Sequence, residues 1–120
     1  MEQIVTFEVA RLACQAGFDR EVRRFYDESG SLQELNAPRN VNIEANVCNA
    51  PTQAVLSRWL RETKHISLEV AYNCVGKFWV CTYTCDYQGS RWLSNAEYAN
   101  DFESALEAGL LKALKILITI

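Results

Sequence analysis

The sequence has little of what marks the unusual classes of protein. Proline occurs at 2 and glycine at 5 of the 120 positions, and no apolar run approaches the roughly 18 residues of a membrane span. The scarcity of proline and glycine excludes collagen-like and low-complexity chains. A hydrophobic fraction of 49% with 22% charged residues excludes intrinsic disorder. We therefore expect one globular domain over residues 1–120, with no membrane as partner.

Positive charge is also scarce. The chain carries 12 Lys+Arg against 15 Asp+Glu, a formal net charge of -3. Domains that bind double-stranded nucleic acid usually carry a basic patch. Double-stranded nucleic acid is therefore not expected as a partner. The first residues lack the basic and apolar regions of a signal peptide, which favours a cytoplasmic location.

No signature of catalysis or metal binding is present. The sequence has no glycine-rich phosphate loop, no His-Glu-x-x-His and no serine elbow. Its five cysteines form an odd set without a framework spacing, which predicts reduced and mostly buried thiols: Cys14, Cys48, Cys74, Cys81 and Cys85. Cys81 and Cys85 would lie roughly 13 Å apart along one strand, too far to share a zinc ion. The lone histidine, His65, has only Cys85 and Asp86 as conceivable catalytic partners. We predict no catalytic residue, no cofactor and no metal ligand.

The N-terminal part predicts a helix followed by a hairpin. Thr6 can cap a helix whose apolar residues recur at helical spacing until Gly17 provides a stop. Alternation over 20–35 then predicts a β-hairpin, although a helix over 19–27 also fits the spacing. The asparagine-rich stretch 36–49 is typical of a loop. Within it, a brief strand is predicted at three alternating residues: Val41, Ile43 and Ala45.

A second helix is predicted to begin near Pro51, with Asn49 or Ala50 as its cap. Its apolar face consists of Val55, Leu56, Trp59 and Leu60. Because Trp59 lies in the middle of that face, we expect it in the core rather than in a functional site.

The clearest strands are 65–74 and 78–87, which are rich in β-branched and aromatic residues. A two-residue turn at Gly76 and Lys77 sets the expected register: Cys74 with Trp79, Tyr72 with Cys81, Val70 with Tyr83 and Leu68 with Cys85. One face is then almost wholly apolar, and helices should cover it: Ile66, Leu68, Val70, Tyr72, Cys74, Trp79, Cys81, Tyr83, Cys85 and Tyr87. The opposite face is mostly polar, which favours an α+β fold.

The C-terminal part predicts a short third strand at 91–93, a loop over 95–100 and a long helix from Phe102. Gly109 lies in the apolar stripe of this helix, where it permits a close approach to the sheet, over Trp79 or Tyr83. Four residues lie off the stripe and leave apolar area exposed at the helix end: Leu111, Ile116, Ile118 and Ile120. The expected fold is an antiparallel sheet with helices packed on one face, in the order α-(ββ)-α-β-β-(β)-α.

Two segments carry a resemblance to known proteins. The first runs from Ala50-Pro51-Thr52-Gln53 through Trp59-Leu60-Arg61-Glu62 to His65-Ile66, and the second is Phe102–Leu110. Together they resemble small uncharacterised proteins of bacterial prophages and mobile elements. The resemblance implies a small cytoplasmic α+β protein, and it assigns no activity and no functional residue.

The favoured interpretation is a non-enzymatic interaction module that uses apolar surface of the sheet and of the helix end for self-association or for a partner protein. The candidate surface residues are Phe78, Val80, Trp92, Tyr98, Ile116 and Ile120. The alternative is a small-ligand-binding protein or enzyme with a cleft near the 36–49 loop, lined by Cys48, Tyr72 or Arg91. Single-stranded nucleic acid could also bind exposed aromatic residues, but the net charge counts against it.

Overall fold

Three helices and six strands make up the described part of the chain. The computed structural model describes residues 3–42, 44, 46–87 and 90–119, of which 85–87, 90–98 and 119 are described by their backbone. In order, the elements are α1 (Phe7–Gln15), β1 (Val22–Tyr26), β2 (Leu32–Arg39), β3 (Cys48–Asn49), α2 (Gln53–Thr63), β4 (Ile66–Asn73), β5 (Phe78–Tyr87), β6 (Ser90–Ala99) and α3 (Phe102–Thr119). The α+β class is confirmed, and the order of elements is as expected except for the additional short strand β3 before α2.

The strands form two antiparallel sheets rather than the single sheet expected. The first sheet has the order β2-β1-β3 and the second has the order β4-β5-β6. Helix α3 packs on the second sheet and also contacts α1 and α2. Buried side chains from all three helices and both sheets form one core cluster, which includes Val9, Ala13, Val22, Leu56, Trp59, Cys81 and Leu110.

Helix α1 has the start and stop that the sequence predicts. The Thr6 hydroxyl oxygen accepts a hydrogen bond from the backbone N–H of Val9 at 3.3 Å. At the other end Gly17 has a φ of +96°, and the Phe18 N–H donates to the Ala13 carbonyl at 2.9 Å. This is a Schellman ending, in which glycine takes the left-handed position.

The hairpin over 20–35 is confirmed, because β1 and β2 pair antiparallel, and the alternative helix over 19–27 is wrong. Strand β2 continues through Pro38 to Arg39, so the loop expected over 36–49 begins only at residue 40. Proline is tolerated there because β2 is an outer strand of its sheet.

Three asparagines hold the segment that follows β2. The Asn49 amide accepts a hydrogen bond from the Val41 N–H and donates to Asn40 Oδ1, both at 2.8 Å. Asn42 Nδ2 donates to the Phe18 carbonyl at 2.6 Å. Val41 is buried but lies in no strand, so the brief strand expected there is wrong. The strand in this region is β3, which contains Asn49. The other two residues of that prediction, Ile43 and Ala45, lie outside the described residues.

Helix α2 begins after Thr52, whose hydroxyl oxygen accepts from the Val55 N–H at 3.2 Å. The sequence predicted the cap at Asn49 or Ala50, before Pro51. The observed cap, Thr52, follows this proline. Val55 was expected on the apolar face but is 38% exposed, whereas the polar Gln53 is buried at 4%. Trp59 is 2% exposed, which confirms its place in the core.

The turn between β4 and β5 has four residues, 74–77, instead of two. The Asn73 side-chain oxygen accepts hydrogen bonds from the N–H groups of Val75 and Gly76 at 3.0 and 2.9 Å. Lys77, the last residue of this turn, has a left-handed φ of +60°. The asparagine side chain thus stabilises a longer turn than the glycine alone predicts.

The longer turn shifts the register of β4 against β5 by two residues. The observed pairs include Tyr72 with Trp79, Val70 with Cys81, and Leu68 with Tyr83. A shift by an even number leaves every side chain on its expected face. Cys74 is the exception, because it now lies in the turn and is exposed.

Strand β6 is longer than the sequence indicated. The third strand was expected over 91–93, followed by a loop over 95–100, but β6 pairs with β5 from Ser90 to Ala99. The loop prediction is therefore wrong over 95–99. Pairing along a ten-residue neighbour overrides the weak strand propensity of the polar residues there.

Helix α3 lies very close to β5 at Gly109. A Cβ atom at this position would lie 2.3 Å from Cys81 Sγ and 3.1 Å from Leu68 Cδ2. The close approach that the sequence predicts is confirmed, but the contact residues are Cys81 and Leu68 rather than the aromatic residues expected there. Only glycine fits this contact without a shift of the helix.

We expect Gly109→Ala to destabilise the protein. Alanine gains about 1 kcal/mol of helix propensity over glycine, but overpacking costs about 1–3 kcal/mol, so the free energy of unfolding should fall by about 1 kcal/mol. Urea denaturation measures the change. In a Cys81→Ala background the loss should be smaller, and an equal loss in both backgrounds would contradict the contact.

The Asp27 carboxylate should make stability depend on acid pH. Hydrogen bonds from the Ser29 side chain, the Ser31 N–H and Gln33 lower the pKa of Asp27 from 3.8 to about 2. Since the folded-state pKa is the lower one, this stabilisation is present above pH 4 and is lost as the pH falls toward 2. Urea midpoints measured against pH should therefore fall more steeply for the wild type than for Asp27→Asn. Glu28→Gln, a change at the neighbouring exposed carboxylate, should leave the slope unchanged.

Candidate functional site

A groove with a volume of about 510 Å³ lies between α2, β4 and the first turns of α3. Its α2 wall consists of residues spaced three and four apart, which therefore share one side of the helix: Ala54, Ser57, Arg58 and Arg61. Both arginines are exposed. Arg58 Nε lies 3.3 Å from a carboxylate oxygen of Glu62, one turn further along the helix. The wall is therefore polar and carries positive charge.

The floor of the groove is apolar. Leu68 and Val70 project from β4 on the side that faces α3, and both are half-buried. Leu106 contributes from α3 and is 8% exposed. Glu103, on the first turn of α3, places a negative charge on the side opposite the arginines. The groove thus joins an apolar floor to two walls of opposite charge.

Three aromatic residues, Tyr72, Trp79 and Phe102, extend the floor toward the hairpin turn, and we name them the aromatic cluster. The ring centroids of Tyr72 and Trp79 are 5.1 Å apart, and those of Trp79 and Phe102 are 5.8 Å apart in an edge-on arrangement. Tyr72 is 49% exposed and Phe102 is 42% exposed. Exposed aromatic side chains beside an apolar groove are typical of protein-binding surfaces.

The sequence placed Tyr72 and Trp79 on the helix-covered face. The exposure of Tyr72 is a correction, whereas Trp79 is half-buried and packs against the core. Helix α3 begins at Phe102, where the ring of this residue meets Trp79. The helix therefore starts over β5 and leaves the end of β4, with Tyr72, uncovered. No signal in the sequence marks this limit, because it depends on where α3 begins relative to the strands.

The structure describes the side chains of three predicted surface residues, Phe78, Val80 and Ile116, and these three do not share one face. Cys81 is buried against α3, and side chains alternate along a strand, so the half-buried Phe78 and Val80 lie on the face away from the helix. Ile116 is half-buried on α3 and packs against the core. The structure therefore separates Ile116 from the other two. The remaining predicted residues lie outside the described side chains: Trp92, Tyr98 and Ile120.

A second cavity, of about 400 Å³, lies beside the loop that follows β2 and contains two thiols. Burial, with a smaller contribution from the nearby Cys14, raises the pKa of Cys48 to about 11. Burial also raises the pKa of Cys14. Both thiols are therefore held protonated, which disfavours nucleophilic chemistry. Of the other residues expected in this cleft, Tyr72 lies in the second sheet, and the Arg91 side chain lies outside the described part.

His65 is exposed at the end of α2, where it has a left-handed φ of +59°. The side chains of Cys85 and Asp86, its conceivable catalytic partners, lie outside the described residues. Among the side chains that the structure describes, no three His, Cys, Asp or Glu residues lie close enough together to hold a metal ion.

The carboxylate of Glu107 connects the three helices. Gln53 Nε2 donates to Glu107 Oε1 at 2.9 Å and to the Glu103 carbonyl at 2.8 Å. The backbone N–H of Thr6 donates to Glu107 Oε2 at 2.8 Å. The side-chain amide of the buried Gln53 thus has hydrogen-bond partners within the fold. The Glu107 carboxylate, as one of these partners, has a structural role.

No protein-family model matches the chain, and no curated protein or solved structure matches it. Within the described residues, no helix combines the length and the apolar composition needed to cross a membrane.

The thiols should differ strongly in their reaction with iodoacetamide. At pH 8 we expect Cys74, exposed in its turn, to react at least about a hundredfold faster than Cys48, because few Cys48 thiols are deprotonated. Mass spectrometry of the digested protein measures both rates. Preferential labelling of Cys48 would contradict this expectation and would favour a reactive site in the second cavity.

Proposed function

We propose that this chain is a non-enzymatic protein-interaction module of the cytoplasm, and that the groove with its aromatic cluster is the binding surface. The observation that carries the proposal is the exposure of Tyr72 and Phe102 beside Trp79. Burying such rings in a complex removes a large apolar area from water, and aromatic and arginine side chains dominate the energetics of protein interfaces.

The chemistry of the remaining polar groups supports a binding role over catalysis. The thiols of Cys14 and Cys48 have raised pKa values. The buried amide of Gln53 and the carboxylate of Glu107 bond to each other. Origin in a prophage or mobile element, as the sequence resemblance implies, is part of this proposal.

A second candidate function is small-ligand binding in the second cavity. Its volume of about 400 Å³ lies within the range of ligand sites, and Arg11 and Asp27 provide polar groups among its lining residues. Protection of Cys48 from iodoacetamide by a small molecule would favour this function.

Site-specific photo-crosslinking tests the interaction proposal. A benzoylphenylalanine at position 72 or 102, in the cells that carry the gene, should form a covalent adduct with the same protein from both positions. The Gln15 position, exposed on α1, is the control and should give none. A second copy of the chain as the adduct would identify self-association.

A matched pair of variants checks that the groove itself is used. Val70→Ser alters the floor, whereas Ala71→Ser alters the adjacent exposed residue on the opposite face of β4. Val70→Ser should reduce the adduct and Ala71→Ser should not. Equal adduct yields from crosslinkers at positions 72, 102 and 15, or no adduct from positions 72 and 102, would refute the proposal.

A further inference from the structure

We propose that the groove binds an extended acidic segment of a partner protein, which adds to β4 as a fourth strand of the second sheet. The inference rests on the proposed function, since it specifies how a protein occupies that groove. It is carried by three features: an unprotected strand edge, an apolar floor beside that edge, and arginines on the facing helix.

The first feature is the edge of β4. Among the described residues β4 pairs with β5 alone, so its other side presents unpaired backbone groups of alternate residues. Natural edge strands usually avoid pairing by means of proline, lysine, bulges or a covering helix. Helix α2 contacts β4, but the groove separates the two beside Leu68 and Val70. Strand β4 has neither proline nor lysine, pairs regularly over its eight residues, and carries Glu69 as its one charge. It is therefore open to main-chain pairing with another strand.

The second feature is the floor that accompanies this edge. Side chains on paired strands share a face with the residues opposite them. Alternate side chains of an added strand would thus lie beside Leu68 and Val70 and fill the groove, while Tyr72 would contact the strand near the hairpin turn. A peptide with apolar residues at every second position fits this arrangement.

The third feature is the charge of the α2 wall. Arg61 is exposed and forms no ion pair with any described residue, and Arg58 is next to it on the helix surface. The chain as a whole carries a net charge of -3, so this positive wall contrasts with its surroundings. Carboxylates of a partner are favoured on the α2 side and disfavoured beside Glu103, which selects an acidic segment in one orientation.

The probe is a phage-displayed library of random linear dodecapeptides, selected against the full chain. Enriched peptides should alternate apolar residues and contain Asp or Glu. Arg61→Glu should weaken the binding of a selected peptide at least about tenfold. Lys112→Glu, the same charge change at an exposed position of α3 outside the groove, should leave the affinity unchanged.

Strand addition is tested by methylating the peptide amides one at a time, which leaves the protein intact. Binding should be lost at every second amide, and hydrogen exchange of the β4 amides should slow on binding. Peptides with anchors three and four residues apart and no alternation in the methyl scan would overturn the inference in favour of a helical ligand.

An absence of enriched linear peptides would also overturn it. In both cases the crosslinks from positions 72 and 102 would still support the interaction function, so the two proposals fail separately. A dimer whose β4 amides are already protected without peptide would contradict the inference too, because a second copy would then occupy the edge.

Discussion

The contact between Gly109 of α3 and Cys81 of β5 determines how the rest of the molecule packs. Because the glycine has no side chain, the helix lies directly on the central strand of the second sheet. From that position α3 reaches α1 and α2, and the hydrogen bonds of Glu107 to Thr6 and Gln53 join the three helices. A larger residue at position 109 would lift the helix away from the sheet and strain these bonds.

Local chemistry predicted much of the fold. The Thr6 cap, the Gly17 ending and the face assignment of the central hairpin follow from single residues or from alternation, which depend little on distant parts of the chain. The errors have tertiary or side-chain causes. The Asn73 side chain lengthened a turn, and pairing with β5 extended β6 through a polar segment. The burial of Gln53 and its hydrogen bond to Glu107 left no mark in either helix pattern.

The candidate site was harder to predict than the fold. Sequence alternation assigned Tyr72 and Trp79 to the covered face correctly, but it gave no information on how far the cover extends. That extent depends on where α3 begins relative to the strands, which is a property of the assembled chain. The groove arises from this incomplete cover, and so does the exposure of the aromatic cluster. The proposed binding surface is thus a result of how helix and sheet are offset.

The order of the elements has a consequence for the synthesis of the chain on the ribosome. Helix α3 follows every strand that it covers, so the apolar face of the second sheet is synthesised before the helix that buries it. Until the last turns leave the exit tunnel, Leu68, Cys81 and Tyr83 have no helix to bury them. Until α3 has emerged, the nascent chain therefore offers an exposed apolar hairpin to chaperones.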